Sequence, residues 1–327
     1  MPYSEMKAAR NPDLLSEWTS QHLAEGLQRL IGQLENDPSL LEPNQLRQRL
    51  EALDRLDTHF SYSSQGVPDA QAVEPALYRR ARAICDKLAA ANRALCETIR
   101  GEIRSGARPD ALLRWVHPSL EIEHASGPAN DLGYDYLDEL ISGVLPFEEP
   151  DAGHIARDSE KVFYQPTPAR HIFSLIELTA LSATDVLVEL GSGLGHVPIL
   201  ISICTGARSV GIELEATYVE CARRCARKLN LNRVTFLQQD ARAADLSIGT
   251  VFYLYTPFKG SILRAELERL NREAATHRIR ICSYGPCTAV VAEEPWLEAI
   301  TTTDANRIAL FCSREGERRN SSGPSGA

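Results

Sequence analysis

No stretch of eighteen apolar residues occurs in this chain, so no membrane span is expected. The first residues, Met1-Pro2-Tyr3-Ser4-Glu5-Met6-Lys7, lack the apolar core of a secretory signal, and the expected location is cytoplasmic. Positive charge is in deficit. Thirty-five Lys and Arg stand against 44 Asp and Glu, a formal charge of −9. That balance disfavours nucleic acid as a partner. CxxC pairs are absent too, although Cys85, Cys96, Cys204, Cys221, Cys225, Cys282, Cys287 and Cys312 are present. Most fall in apolar stretches, so reduced core thiols are expected. Cys221 and Cys225 lie one helical turn apart, but no nearby Cys or His pair completes four ligands. His117, Glu121 and His124 have only loose ligand spacing, so no metal site is expected. No internal repeat occurs. What remains is ordinary globular material: 327 residues, 43% hydrophobic and 24% charged, enough for one large domain or two modest ones.

The first third reads as helical, and residues 1–116 are expected to form an all-helical N-terminal domain. Leu14, Leu15, Trp18, Leu23, Leu27, Leu30 and Ile31 recur at spacings of three and four. Asp37-Pro38-Ser39 breaks that helix. A second runs from about Pro43 through Leu56, and the run from Tyr62 to Pro68 is a loop by composition. A third spans about Glu74 to Ser105, stopped by Gly106 and Pro109. Residues 117–162 then turn acidic, with Arg157 the one basic residue between 117 and 160. They read as a connector with one short helix near Tyr134–Val144. Its functional reading is attraction of a cationic substrate; its plain reading is a solvated face.

From Phe163 the pattern alternates. Strands are expected at Asp185–Leu190, Ser209–Leu214, Val234–Gln239, Val251–Thr256, Arg278–Tyr284, Leu297–Thr302 and Arg307–Cys312, with helices between the first five. Such alternation builds a parallel sheet through right-handed crossovers. The last two strands are joined by Thr303 to Asn306, too few for a helical crossover, so the sheet should end in an antiparallel pair. This domain is expected over 163–315. Residues 316–327, rich in Gly, Ser, Arg and Asn, read as a disordered tail.

The informative segment is Val186-Leu187-Val188-Glu189-Leu190-Gly191-Ser192-Gly193-Leu194-Gly195-His196-Val197-Pro198. An apolar run becomes a glycine loop and then a helix. Glycines allow a tight turn and let a ligand lie against bare backbone. The spacing is not the dinucleotide G-x-G-x-x-G. Glu189, two residues before the first glycine, would repel a pyrophosphate but suit a cationic amine. Glu213 ends the next strand, where a carboxylate can accept both hydroxyls of a ribose. Asp240, followed by Ala241, ends the third and is placed for an exocyclic amine such as adenine N6. An amino acid, a ribose and an adenine in sequence describe S-adenosylmethionine, which carries no phosphate. A nicotinamide oxidoreductase would use Glu213 equally well, but not Glu189 or the compressed loop.

On these residues, 163–313 resemble the seven-strand, class I S-adenosylmethionine-dependent methyltransferases. The resemblance implies a Rossmann-like α/β fold with strand order 3-2-1-4-5-7-6 and the last strand antiparallel. It implies methyl transfer as the activity and Glu189, Gly191, Ser192, Gly193, Gly195, Glu213, Asp240 and Ala241 as cofactor contacts. Upstream, Phe163-Tyr164-Gln165-Pro166-Thr167-Pro168 precedes a helix expected at Ala169–Leu181. Thr167 suits an N-cap and Pro168 the first helical turn. The segment also looks like one in seven-strand histone-lysine methyltransferases and related mitochondrial protein-lysine methyltransferases. That likeness implies Tyr164 and Thr167 as cofactor contacts.

The fourth strand ends in Tyr255-Thr256-Pro257-Phe258. Amide and nucleobase amino-methyltransferases of this fold carry Asn or Asp followed by Pro-Pro and an aromatic there, and the histone-lysine enzymes carry Asn. This chain keeps Pro257-Phe258 and lacks the amide or acid. Tyr255 and Phe258 become the candidate catalytic residues: an aromatic face stabilises a cationic methyl donor, and a phenol can relay a proton. His196 could serve as a base or simply open its helix, and Tyr284 and Cys287 could line the substrate side. The expected function is N-methylation of a protein side chain or small amine. A non-catalytic cofactor-binding scaffold is the alternative from a different class.

Overall fold

The computed structural model describes residues 12–64, 75–106, 110–123, 134–148, 165–256 and 260–314. The expected tail at 316–327 lies outside them, as do Tyr164 and Phe258. The chain divides into two compact units, Met1–Thr98 and Ile99–Ala327.

Unit 1 contains helices α1 (Pro12–Glu35) and α2 (Leu46–Ser64) and most of α3 (Pro75–Ser105). The apolar stripes expected from the sequence meet in its core: Leu27, Leu30 and Ile31 from α1, Ala52 and Leu56 from α2, Leu77, Ala81, Ile84 and Leu88 from α3. Arg49 is fully buried there. Its guanidinium donates to Asn92 Oδ1 at 2.5 Å and to the carbonyls of Leu40 at 2.9 Å and Glu42 at 2.5 Å, so the desolvated charge is hydrogen-bonded on several sides.

The division falls inside α3, not at residue 116. The end of α3 bonds within unit 2, through Arg100 to the Val144 carbonyl at 3.0 Å and Arg104 to the Lys228 carbonyl at 3.0 Å. An additional helix, α4 (Asp110–Glu123), occupies the start of the expected connector. Its internal Pro118 hid it from a periodicity reading. The short helix expected near residue 140 is present as α5 (Tyr136–Val144).

The seven expected strands all form, each within a few residues of its expected bounds: β1 (Val186–Leu190), β2 (Arg208–Glu213), β3 (Val234–Gln238), β4 (Val251–Tyr255), β5 (Arg280–Tyr284), β6 (Leu297–Ala299) and β7 (Ala309–Ser313). They make one Rossmann-like sheet of order β3-β2-β1-β4-β5-β7-β6. The first five are parallel and β7 is antiparallel to both neighbours. Between them run α6 (Ala169–Thr179, before β1), α7 (His196–Cys204), α8 (Ala216–Lys228), α9 (Gly260–Ala274) and α10 (Cys287–Ala292).

Burial follows position. All five residues of central β1 are buried, whereas edge strands β3 and β6 are partly exposed. That is the expected signature of a sheet covered on both faces. Side chains alternate between faces. Phe252 and Leu254 of β4 join Leu263, Leu267 and Leu270 of α9 in one core. Tyr253 and Tyr255 leave by the other face. The order reverses between β1 and β4, and the crevice beyond their carboxyl ends is where open α/β sheets bind ligands.

Candidate functional site

The glycine loop opens at the tip of β1. Gly191, Gly193 and Gly195 have φ of 81°, 52° and 82°, values that disfavour any side chain. The amides of Gly191 and Ser192 donate to the Ile212 carbonyl at 2.9 and 3.0 Å, and Gly195 N to Ser192 O at 2.8 Å. α7 therefore starts at His196 with Gly195 as cap. Its first turn packs so closely on β3 that a Cβ on Gly195 would stand 2.4 Å from the Phe236 ring. Gly211 of β2, which the sequence reading passed over, is equally constrained: a Cβ there would meet Ser192 Oγ at 2.6 Å.

Glu189 is 5% exposed, and its Oε2 has no hydrogen-bond partner among the described residues. Burial, and secondarily the nearby Glu213, hold its carboxyl well above the ordinary value of 4.5. Ser192 Oγ is buried and unpartnered as well. An orphaned carboxylate oxygen, an orphaned hydroxyl and bare glycine backbone form a site one cationic polar group short of satisfaction. They fit the amino-acid end of S-adenosylmethionine.

Glu213 is fixed by backbone amides. Oε2 accepts from Gly193 N at 2.8 Å and Oε1 from Glu215 N at 2.8 Å. Each oxygen keeps a further acceptor site, so the carboxylate is preorganised for a pair of hydroxyls. Leu214 beside it is 53% exposed and could cover one face of a planar base. Asp240 caps the short 3-10 turn Ala241–Ala243 by accepting from Arg242 N at 2.9 Å. It also pairs with the Arg242 guanidinium, which holds its carboxyl below the usual range. An adenine amine would share this carboxylate with Arg242. Ala241 is buried, and its carbonyl accepts from Arg269 at 2.6 Å.

The segment leading into α6 departs from the cap expectation. Thr167 does not cap the helix; the N-cap is Pro168, without a side-chain bond. Asp138 of α5 supplies the acceptor instead, taking Ala169 N at 2.8 Å. Arg170 pairs with Asp135, and Tyr134 Oη donates to the Pro166 carbonyl at 2.6 Å. Thr167 is thereby free to turn inward, where its Oγ1 lies 3.0 Å from Tyr253 Oη. Asp135 and Asp138, two of the acids expected to attract a cation, are thus committed to holding this segment.

At the tips of β4 and β5 three rings gather. Tyr255 lies 4.8 Å from Tyr284 between centroids, and Tyr284 lies 4.4 Å from His171 of α6. Burial pushes the Tyr255 phenol up to about 12 and the His171 imidazole down to about 4. Near neutral pH, Tyr255 is a hydrogen-bond donor and His171 an uncharged ring. Thr256 follows at φ 40°, a conformation that strains a β-branched residue. Its hydroxyl laces the tips together, donating to Tyr284 O at 3.2 Å and accepting from Cys287 N at 3.3 Å.

Cys287 is 2% exposed, its Sγ directed to backbone carbonyls, and so does not line an acceptor site. His196 packs on Phe147 with centroids 4.6 Å apart, and burial lowers it to about 4. That makes it an uncharged packing group at the start of α7. Among the described residues no three His, Cys, Asp or Glu side chains cluster as metal ligands. Cys221 Sγ donates to the Glu148 carbonyl. The sequence reading missed Tyr253, His171 and Asp138. Tyrosine as the one polar residue inside the apolar run of β4 was the available signal for Tyr253.

The family model described as histone methylation protein DOT1 matches residues 156–248. No curated protein matches the chain. Among solved structures, the chain is similar to an RNA methyltransferase from Salinibacter ruber in complex with S-adenosyl-L-homocysteine. Identity is 28% over 46% of this chain and 92% of that one, with a TM-score of 0.37. It is similar to tRNA (m1A58) methyltransferase TrmI from Aquifex aeolicus at 16% identity, 46% and 70% coverage and a TM-score of 0.36. A human methyltransferase 10 domain containing protein gives 15% identity, 48% and 87% coverage and a TM-score of 0.35. These likenesses span less than half of the chain and carry no argument about its acceptor.

Proposed function

We propose that this chain, a class I S-adenosylmethionine-dependent methyltransferase, N-methylates an amine, with a protein side chain as the acceptor. The observation that carries the reading is the aromatic group Tyr255, Tyr284 and His171 at the tips of β4 and β5. When bound, S-adenosylmethionine supplies an electrophilic methyl group.

The chain's own residues then have distinct tasks. Glu189 meets the cationic amino group and Glu213 the ribose. Asp240 and Ala241 border the adenine. Gly191, Ser192, Gly193 and Gly195 let the cofactor lie on backbone, and Thr167 closes over its amino-acid end. Tyr255, Tyr284 and His171 offer π faces to an incoming amine. Among the described residues, Tyr255 and Tyr284 hydroxyls and the His171 ring have no hydrogen-bond partners, so they remain available to orient the nitrogen lone pair. Neither a phenol at about 12 nor an imidazole at about 4 is a good proton acceptor for an ammonium. These groups therefore align an amine already deprotonated by solvent. Alignment is the main requirement of an in-line displacement. The DOT1 match supports a protein acceptor, as does the acidic balance of the chain.

The test is methyl-labelled S-adenosylmethionine with core histones, a lysine-bearing peptide and total RNA, read by mass spectrometry. Label on a protein amine is expected. Label in RNA alone would overturn the protein-amine reading. Cofactor binding with no label on any acceptor would favour the scaffold alternative.

A further inference from the structure

Tyr253 lies inside β4 with no exposed surface, in a strand otherwise made of Val, Phe, Leu and a terminal Tyr. A buried phenol needs a hydrogen-bond partner to offset its desolvation. Its register partner in β1 is Glu189. Register partners in a pleated sheet leave on the same face. Tyr253 therefore stands beside the orphaned carboxylate, and its hydroxyl reaches Thr167 Oγ1 at 3.0 Å.

Residues 165–170 are gripped on one side by α5 and the residues preceding it, through Tyr134, Asp135 and Asp138. On the other side, the Tyr253 hydroxyl joins the segment to the sheet through Thr167. One end of this connection is thus an unsatisfied acid in the cofactor crevice. The other is the chain expected to cover the cofactor's amino-acid end.

We infer that Tyr253 is a positioning residue for the cofactor. Its hydroxyl holds Thr167, and with it the chain entering α6, against the open side of Glu189. The amino-acid end of S-adenosylmethionine is then received between the strand and this segment. The inference rests on the cofactor reading of the glycine loop. A purely structural hydroxyl pair would change stability and leave cofactor affinity unmoved.

The experiment is calorimetric titration of S-adenosylmethionine into the full chain and into Tyr253→Phe, Thr167→Val, their double variant and Thr167→Ser. Melting temperatures are measured on the same samples. Thr179→Val, which removes a buried hydroxyl at the far end of α6, serves as the stability control. Each single variant is expected to weaken binding about tenfold, the scale of one lost hydrogen bond. The double variant should weaken it no further, because both substitutions break the same link. Thr167→Ser should bind like the wild type, and Thr179→Val should melt lower without losing affinity. Tyr253→Phe binding within about twofold of wild type would overturn the inference, as would fully multiplicative losses in the double variant. Absence of binding by the wild type would overturn the cofactor reading itself, and the inference with it.

Discussion

Tyr255 and Tyr284 are partners across the β4–β5 register, and their rings stand 4.8 Å apart at 39°. The pair is held from behind by Thr256, whose hydroxyl bonds the Tyr284 carbonyl. Gly285, at φ 83°, leaves room for this hydroxyl, since a Cβ there would lie 2.7 Å from Thr256 Oγ1.

Tyr255→Ala and Tyr284→Leu should therefore impair transfer while sparing cofactor binding. Loss of one π face from a desolvated cluster is worth about 1–2 kcal/mol, or roughly five- to thirtyfold in kcat/KM. Steady-state kinetics on the labelled acceptor, alongside calorimetry with the cofactor, separates the two. An equal loss of cofactor affinity would place these rings at the cofactor instead.

Glu213→Ala removes the acceptor for a ribose and releases the amides of Gly193 and Glu215. Charge-assisted bonds of this kind contribute about 1.5–3 kcal/mol each. Cofactor affinity should fall by at least about a hundredfold in calorimetry. Retention of wild-type affinity would exclude Glu213 from the site.

Glu189 makes stability depend on pH. Its folded carboxyl titrates well above the ordinary 4.5, so the fold keeps a proton that the unfolded chain gives up. Its contribution is full below that ordinary value and is lost as pH rises toward the raised one. A cation bound beside the carboxylate opposes this loss. The melting-temperature gain from S-adenosylmethionine should therefore grow between about pH 5 and pH 8. Glu189→Gln should flatten that trend. A gain that stays constant with pH in the wild type would remove Glu189 from cofactor recognition.

Gly195→Ala forces a side chain into a φ of 82° and against the Phe236 ring. Overpacking of this kind costs about 1–3 kcal/mol, and the left-handed backbone adds about 1–2 kcal/mol. Denaturant unfolding should show a lower midpoint at unchanged slope, with cofactor binding weakened in parallel. Wild-type stability would mean that α7 can move away from β3 without penalty.

Much of this protein is legible in its sequence because the signals are local. The strand pattern, the Glu189 to Gly195 spacing and the acids at 213 and 240 each lie within one element or at its end. A two-residue side-chain period and the demand for glycine at a tight turn write them directly into the chain. The short link between the last two strands sets their antiparallel pairing by length alone. Even so, α4 escaped, because Pro118 interrupts its helical period.

The rest was decided by tertiary structure, since it depends on which distant residues come to share a face. Thr167 reads as an N-cap in sequence, but Asp138 takes that task from 31 residues away, and Thr167 turns to Tyr253 across 86 residues. The acids at 135 and 138 read as a solvated face and prove to be structural partners. His171 meets Tyr284 only once α6 has packed near the tip of β5. The sequence by itself determined the sheet, its order by resemblance, and the carboxylates around the glycine loop, because those follow from local periodicity and turn geometry. Which groups stay unsatisfied and free to meet a ligand was settled by packing, because hydrogen-bond satisfaction is a property of neighbours in space.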